Sequence, residues 1–290
     1  MSNETESKML AWATDTHLDH IANDPVMMRV FVNQIKDSDC QGLVITGDIS
    51  NARLVDCQLL ALSRGVGETF PIYFVCGNHD FYGGSICRVR ELLTSICESN
   101  TQLCYLHATD FVPFTRETAL VGVDGWYDGL YSPIQASRLL MNDFFLIEEL
   151  RPLHKFRKGE YVVHQKDGAL HQKMQEWAAA DAASLTRKVT NAIQAGYKNI
   201  VAATHIPPFP QNSVYNGRVS DGDWLPFFSS KLMGDCLLDL ADNYPEVHFT
   251  VLCGHSHGEA VFTAGRSNLL CRTGKADYGY PRLADILTVK

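Results

Sequence analysis

The 290-residue sequence is most informative at first for what it lacks. No C-x-x-C pair occurs, and the nine cysteines are odd in number, so neither a paired-thiol redox motif nor a disulfide framework is expected. Cys76 and Cys253 lie inside apolar strand-like runs, and Cys57, Cys87, Cys97 and Cys236 lie in helix-like ones, which reads as buried free thiols in a reducing compartment. No apolar run is long enough to span a bilayer, and the polar start Met1 to Lys8 has no signal h-region. A membrane partner is therefore not expected, and the cytoplasm is the expected location. Positive charge is in deficit: 25 Lys and Arg face 33 Asp and Glu, a formal net charge of -8. That balance disfavours non-specific attachment to DNA, RNA or anionic membrane. It leaves a phosphate ligand open, because bound cations dominate their local field. There is no internal repeat, no low-complexity tract and no convincing linker, so one domain over 1–290 is expected.

What is present is a set of five similar stretches. Each is an apolar, β-prone run that stops at Asp, His or Asn. Met9 to Thr14 runs into Asp15-Thr16-His17, and Gly42 to Thr46 runs into Gly47-Asp48. Pro71 to Cys76 runs into Gly77-Asn78-His79-Asp80, Asn199 to Thr204 into His205, and Val247 to Cys253 into Gly254-His255-Ser256-His257. Glycine before Asn78 is turn chemistry, since glycine tolerates positive φ. If the five strands lie side by side in one parallel-type sheet, their ends converge at its carboxyl edge, where open α/β sheets bind ligands. Asp15, His17, Asp48, Asn78, His205, His255 and His257 would then meet. Imidazole with carboxylate suits Zn, Fe and Mn. The set is too large for a four-coordinate structural zinc and suits two ions sharing a carboxylate.

Between these blocks the chain alternates strand and helix up to about Ile96, with Pro25 opening one helix and Ser85 a candidate N-cap for another, which argues for βαβ crossovers. The rhythm breaks at about 131–170, a segment that reads either as a lid or as a helical excursion packed on the sheet. It carries Arg138 and the basic run His154-Lys155-Phe156-Arg157-Lys158, whose charges fit a phosphate contact or ordinary solvation. A long helix over about 171–195 follows, then a loop to about Ser230 rich in Gly, Asp, Asn and Ser. Trp126 and Tyr127 suit core packing or the stacking of a substrate ring. His20 and His107 read as ordinary surface or hydrogen-bonded histidines.

The ordered set D-x-H, G-D, G-N-H-D, H and G-H-x-H resembles the calcineurin-like metallophosphoesterases, from Asp15 to His257. The resemblance implies an α/β fold, a two-sheet β-sandwich flanked by helices. It implies two divalent or trivalent ions (Mn, Fe or Zn), one held by Asp15, His17, Asp48 and His257, the other by Asp48, Asn78, His205 and His255. It also implies hydrolysis of a phosphate ester by a metal-bridging hydroxide, with His79 as general acid and Asp80 orienting its ring. Two departures narrow the group. His17 and Asn51 stand where purple acid phosphatases carry glycine and tyrosine, and Arg53 falls one place late for the protein phosphatase pattern. A small-molecule phosphomonoester or phosphodiester, including a nucleotide, is therefore the expected substrate. The competing readings are a metal-binding scaffold without activity and a nuclease. A nucleic-acid partner is not expected, and the oligomeric state is open.

Overall fold

The computed structural model describes residues 7–154 and 164–290. Its first half is β1 (Lys8–Ala13), α1 (Pro25–Lys36), β2 (Leu43–Thr46), α2 (Val55–Val66), β3 (Ile72–Val75), α3 (Ile86–Ser99) and β4 (Leu103–Tyr105). Pro25 is the first helical residue of α1, where its missing N–H costs nothing, and the Asp24 carboxylate accepts from the N–H groups of Val26 and Met27. Ser85 caps α3. There follow β5 (Val112–Pro113), β6 (Thr118–Gly122), the one-turn α4 (Asp143–Leu146), the 26-residue α5 (Ala169–Gln194) and β7 (Asn199–Ala203). The chain continues through β8 (Val214–Tyr215), β9 (Arg218–Val219), α6 (Leu225–Phe228), α7 (Lys231–Asn243), β10 (His248–Cys253), β11 (Ala260–Phe262), β12 (Leu269–Thr273) and β13 (Leu283–Val289).

The strands do not share one sheet, contrary to the simplest expectation. They divide into a sheet of order β13-β1-β2-β3-β4 and a second of order β11-β12-β10-β7-β6-β5. Within each, the site-bearing strands are parallel: β1 with β2 and β2 with β3 in one, β7 with β10 in the other. The cause is burial on both faces. Strand side chains alternate. In β1, Leu10 and Trp12 point into a layer shared with Val44, Val75, Val201 and Leu252, which is the interior between the two sheets. Ala11 and Ala13 point the other way, into the core formed with α1, α2 and α3. On the second sheet Val121, Ala202 and Val251 meet α5 and α7. Parallel strands covered on both faces are uniformly apolar, as these are.

Two connections differ from the sequence reading. The 131–170 segment is only sparsely helical where described, and 155–163, with most of the basic run including Lys155 and Arg157, lies outside the described residues. Its described part is pinned to the body: Gly83 donates to the Leu146 carbonyl, and Glu149 accepts from Ser85 Oγ and the N–H groups of Ile86 and Cys87 at the start of α3. The loop after β7 contains a hairpin, β8 and β9, joined by Asn216-Gly217 with φ of 48° and 73°. That dipeptide is a strong hairpin signal which the sequence reading passed over. All nine cysteines are unbonded; Cys57 and Cys87 are exposed instead of buried.

Candidate metal centre

Because both sheets run their carboxyl ends to the same edge, five loops meet there. Their backbones are unusual. Of the nine non-glycine residues with positive φ among the described residues, five are Asp15, His17, Asp48, His255 and His257, with φ between 40° and 68°. A non-glycine residue in this region costs about 1–3 kcal/mol, and such strain collects at functional sites. Here it aims side chains inward, held by bonds between loops: Asp15 N–H to the Gly47 carbonyl, His17 N–H to Asp48 and Gly254 N–H to His205. Glycines allow the loops to close. Gly77 was expected to serve through positive φ, but its backbone is not in that region. It serves by space: a Cβ there would sit 2.2 Å from Asp48 Oδ1, and one at Gly254 would sit 2.0 Å from Thr14 Oγ1.

The donor atoms fall into two groups, Asp15, His17, Asp48 and His257, and Asp48, His205 and His255, each within 4.8 Å. Asp48 belongs to both. Asn78 joins the second, its Oδ1 lying 3.2 Å from His205 Nε2. Hydrogen bonds choose the free nitrogens. His205 Nδ1 is 2.8 Å from the Thr46 carbonyl, so Nε2 faces the site. His255 Nε2 is 3.0 Å from the Phe227 carbonyl, so Nδ1 is left free. A ring nitrogen that donates outward is the usual arrangement of a ligating histidine. His17 and His257 turn their Nε2 atoms toward each other at 3.2 Å, and the buried Nδ1 of His17 has no hydrogen-bond partner among the described residues.

Titration reflects the crowding. Burial pushes His17 and His255 down to about 3, so both are neutral donors. Burial also opposes an imidazolium at His205, but Asp48 at 3.3 Å outweighs it and raises the group to about 10. Burial favours the neutral acid at Asp15, yet His257 at 3.3 Å outweighs that and lowers the carboxyl to about 2. Asp48, equally buried, is held well below the carboxylate range by His205 and His79. The site is thus built of ionised carboxylates and imidazoles converging on two points, a donor set that fits borderline divalent cations.

His79 stands apart from these donors. Its ring stacks on Tyr82 at 4.3 Å, meets His17 edge-on at 4.7 Å, and lies 3.9 Å from Asp48. It is 22% exposed and lines the cavity together with Asp48, Asn78, His255 and His257. Asp80 is a correction. Expected to orient the His79 ring, it is wholly buried and accepts from the N–H groups of Ser50 and Gly77, both at 2.8 Å. The two residues occupy one 3₁₀ turn, so consecutive side chains leave it in different directions. Burial, then the neighbouring charge of Asp48, raises the Asp80 carboxyl. It braces the loops of β2 and β3 and does not touch the reacting face.

The sequence reading missed several residues. Asp143 of α4 accepts from Asn78 Nδ2 at 2.9 Å and from Tyr127 Oη at 2.6 Å, with a further bond from Tyr82 Oη. Its signal was faint, one acid inside an apolar cluster. Tyr127 and Trp126 are core residues, as the packing alternative held. Asp124, at the end of β6, accepts from Cys76 N–H at 2.8 Å, Arg90 Nε at 2.9 Å and Tyr105 Oη at 2.7 Å, while its carbonyl takes the N–H of His205. It couples the β3 and β7 loops across the sandwich, and His107 is a member of that cluster. Above the donors lies a cavity of about 840 Å³, bordered by 139–142, the β8–β9 hairpin, α6 and Tyr278.

Comparison with known proteins bears on this geometry. The chain matches the family model described as calcineurin-like phosphoesterase over residues 10–259. A search of curated proteins found no match. Among solved structures it is similar to TT1561 of Thermus thermophilus, with a TM-score of 0.53, 13% identity, and 98% of each chain covered. It is similar in the same way to a dimetal phosphatase from Danio rerio, with a TM-score of 0.52, 14% identity and 98% of each chain covered. At these identities the likeness speaks to the fold.

Proposed function

The chain belongs to the calcineurin-like phosphoesterase family, and from that premise we propose that it hydrolyses small-molecule phosphate esters with two metal ions. The observation that carries this reading is the pair of donor groups sharing Asp48. One ion would be held by Asp15, His17, Asp48 and His257, the other by Asp48, Asn78, His205 and His255. The free Nε2 of His205 and Nδ1 of His255, both turned from their backbone acceptors, support that fit. When bound, the ions neutralise phosphate oxygens and lower the pKa of a coordinated water toward about 7.

The remaining work falls to the chain. Asp15 and Asp48 are locked by backbone donors, His255 N–H to Asp15 and His79 N–H to Asp48, so the acceptor oxygens are set before substrate arrives. Asp143 holds the Asn78 amide nitrogen, which turns Oδ1 into the site. His79 faces the cavity, where its imidazolium would give a proton to the leaving oxygen as the P–O bond breaks, and Tyr82 rather than Asp80 keeps the ring in place. A cavity of this size takes a small ligand. Among the described residues no helix is long and apolar enough to cross a membrane. The test is phosphate release from an ester panel with Mn²⁺, comparing the native chain with Asp48→Asn. Loss of bound metal and of turnover in the variant is expected; near-native turnover would reject the shared-carboxylate reading.

A further inference from the structure

Around the donors the cavity wall carries flat rings, one unpaired cation, Arg218, and one further carboxylate, Asp221. Among the described residues four aromatic side chains are notably exposed, Tyr215, Trp224, Tyr278 and Tyr280, and the first three line this cavity, at 62%, 45% and 47% exposure. Exposed aromatics are costly in water, so three around one opening point to a ligand surface. They continue from the metal donors outward. His255 lies against Phe228 at 4.4 Å, and Phe228 meets Trp224 edge-on at 5.1 Å. On the other side Tyr278 covers His17 at 4.3 Å and His257 at 4.9 Å.

Tyr215 and Arg218 are direct cross-strand partners in the β8–β9 hairpin, so their side chains leave from one face, and both line the cavity. The hairpin is seated on the histidine loop. Val214 N–H donates to Ser256 Oγ, a Cβ at Gly258 would sit 2.1 Å from the Val214 carbonyl, and Ser213 and Ser220 close its base. Arg218 is the sole Lys or Arg lining the cavity and has neither an ion pair nor a side-chain hydrogen bond among the described residues. In a chain of net charge -8, an unpaired guanidinium on the wall of the cavity over the donors is placed to take an anion on the ligand.

Resting on the reading above, we propose that the substrate's leaving group carries a flat ring and a second negative charge, as in a nucleotide with two phosphoryl groups. The scissile phosphoryl lies over the donors, the ring lies between Trp224 and Tyr215, and Arg218 takes the second anion. Four Mn²⁺-dependent substrates separate the two features: ADP has both, AMP lacks the second phosphoryl, pyrophosphate lacks the ring, and glycerol 3-phosphate lacks both. ADP should have the highest kcat/KM. Arg218→Ala should lower the ADP-to-AMP ratio about tenfold or more, as expected for a lost charge-assisted contact. Trp224→Ala should lower the ADP-to-pyrophosphate ratio about five- to a hundredfold, the scale of base stacking on an aromatic ring. Tyr280→Ala, an exposed tyrosine outside the cavity, should leave both ratios unchanged.

Binding of the α,β-methylene analogue of ADP, followed by calorimetry with Mn²⁺, gives a readout free of turnover. Weaker binding in both variants supports the proposal. Native-like binding in both, or losses equal across all four substrates, overturns it. If esters are hydrolysed without ring or charge preference, this inference fails and the phosphoesterase reading stands. If the analogue binds with the expected losses but nothing is hydrolysed, the phosphoesterase reading fails and what survives is a binding site for a ring and an anion, without a leaving group.

Discussion

Asp143 is the residue whose removal tests the site most sharply, because it touches no proposed metal and yet decides how Asn78 faces one. Its carboxylate is fully buried and accepts from Asn78 Nδ2, Tyr82 Oη and Tyr127 Oη. A carboxylate has no donor, so the Asn78 amide nitrogen must point to it and Oδ1 must point into the second donor group. Flipping that amide would set two acceptors 2.9 Å apart. Asp143→Leu removes the acceptor of three bonds, and of those donors only Asn78 Nδ2 keeps another partner, Tyr82 Oη at 3.0 Å. At about 1–3 kcal/mol each, more for a charged partner, the loss of stability should approach 3–5 kcal/mol. Asp143→Asn is the discriminating change. Its Oδ1 still accepts from Asn78 and Tyr82, and its amide can turn to the Tyr127 oxygen, so the fold should survive. The neutral acceptor grips Asn78 less firmly. Loss of an outer partner of a ligand typically costs about 10–100-fold in metal affinity. Calorimetric titration with Mn²⁺ should show one site weakened by that factor, while the site of Asp15, His17 and His257 keeps its affinity. Two sites of native affinity in Asp143→Asn, with an unchanged melting temperature, would refute the argument that the carboxylate orients Asn78.

Other changes probe different links. His79→Ala should keep both metals, by elemental analysis, and lose about 10²–10⁴ in rate on alkyl esters but less on nitrophenyl esters, whose leaving group needs no proton; equal losses on both would show that the ring only positions phosphate. Gly254→Ala drives a methyl to 2.0 Å from Thr14 Oγ1 and 2.2 Å from Asp15 Oδ2, so bound metal and melting temperature should both fall, and retention of metal at native affinity would count against the close-approach account. Glu149 caps α3, and bonds from Ser85, Ile86 and Cys87 outweigh its partial burial, holding its carboxyl below the usual value. A depressed carboxylate contributes stability that is present above the unfolded pKa of about 4.5 and lost as pH falls through the folded value. Glu149→Gln should therefore cost about 1 kcal/mol at pH 7, and denaturant melts should show the gap to the native chain closing below about pH 4. A gap that persists unchanged at low pH would mean that packing, not charge, is lost.

The fold was legible where side-chain period and chemistry agree. The apolar runs ending in Asp15, Asp48, Asn78, His205 and His255 announced strands because β-branched and aromatic residues cluster there, and Pro25 and Ser85 marked helix limits through backbone chemistry. Which sheet each run joins was not legible in the residues. A strand buried on both faces has no polar face to say what lies against it, so Val44 and Val201, which meet across the sandwich, look alike in sequence. The two-sheet arrangement came through resemblance to a family.

Within the site, residue identity was informative and side-chain direction was not. Donor types and their order made the Asp15-to-His257 set visible, because few other patterns place so many imidazoles and carboxylates at strand ends. Asp80 shows the limit. Its neighbour relation to His79 suggested a ring-orienting pair, but in a 3₁₀ turn the next residue rotates by about 120°, and Asp80 turns to the N–H groups of Ser50 and Gly77. Asp143 shows the converse, because its contact with Asn78 spans 65 positions and depends on a segment with little helical rhythm. The five left-handed ligand residues add a reason for the failure. Local propensity disfavours that backbone for Asp and His, so it exists only because two sheets and the bonds between their loops impose it. A centre built from conformations that each stretch would avoid alone is readable in its parts and assembled only by the whole fold.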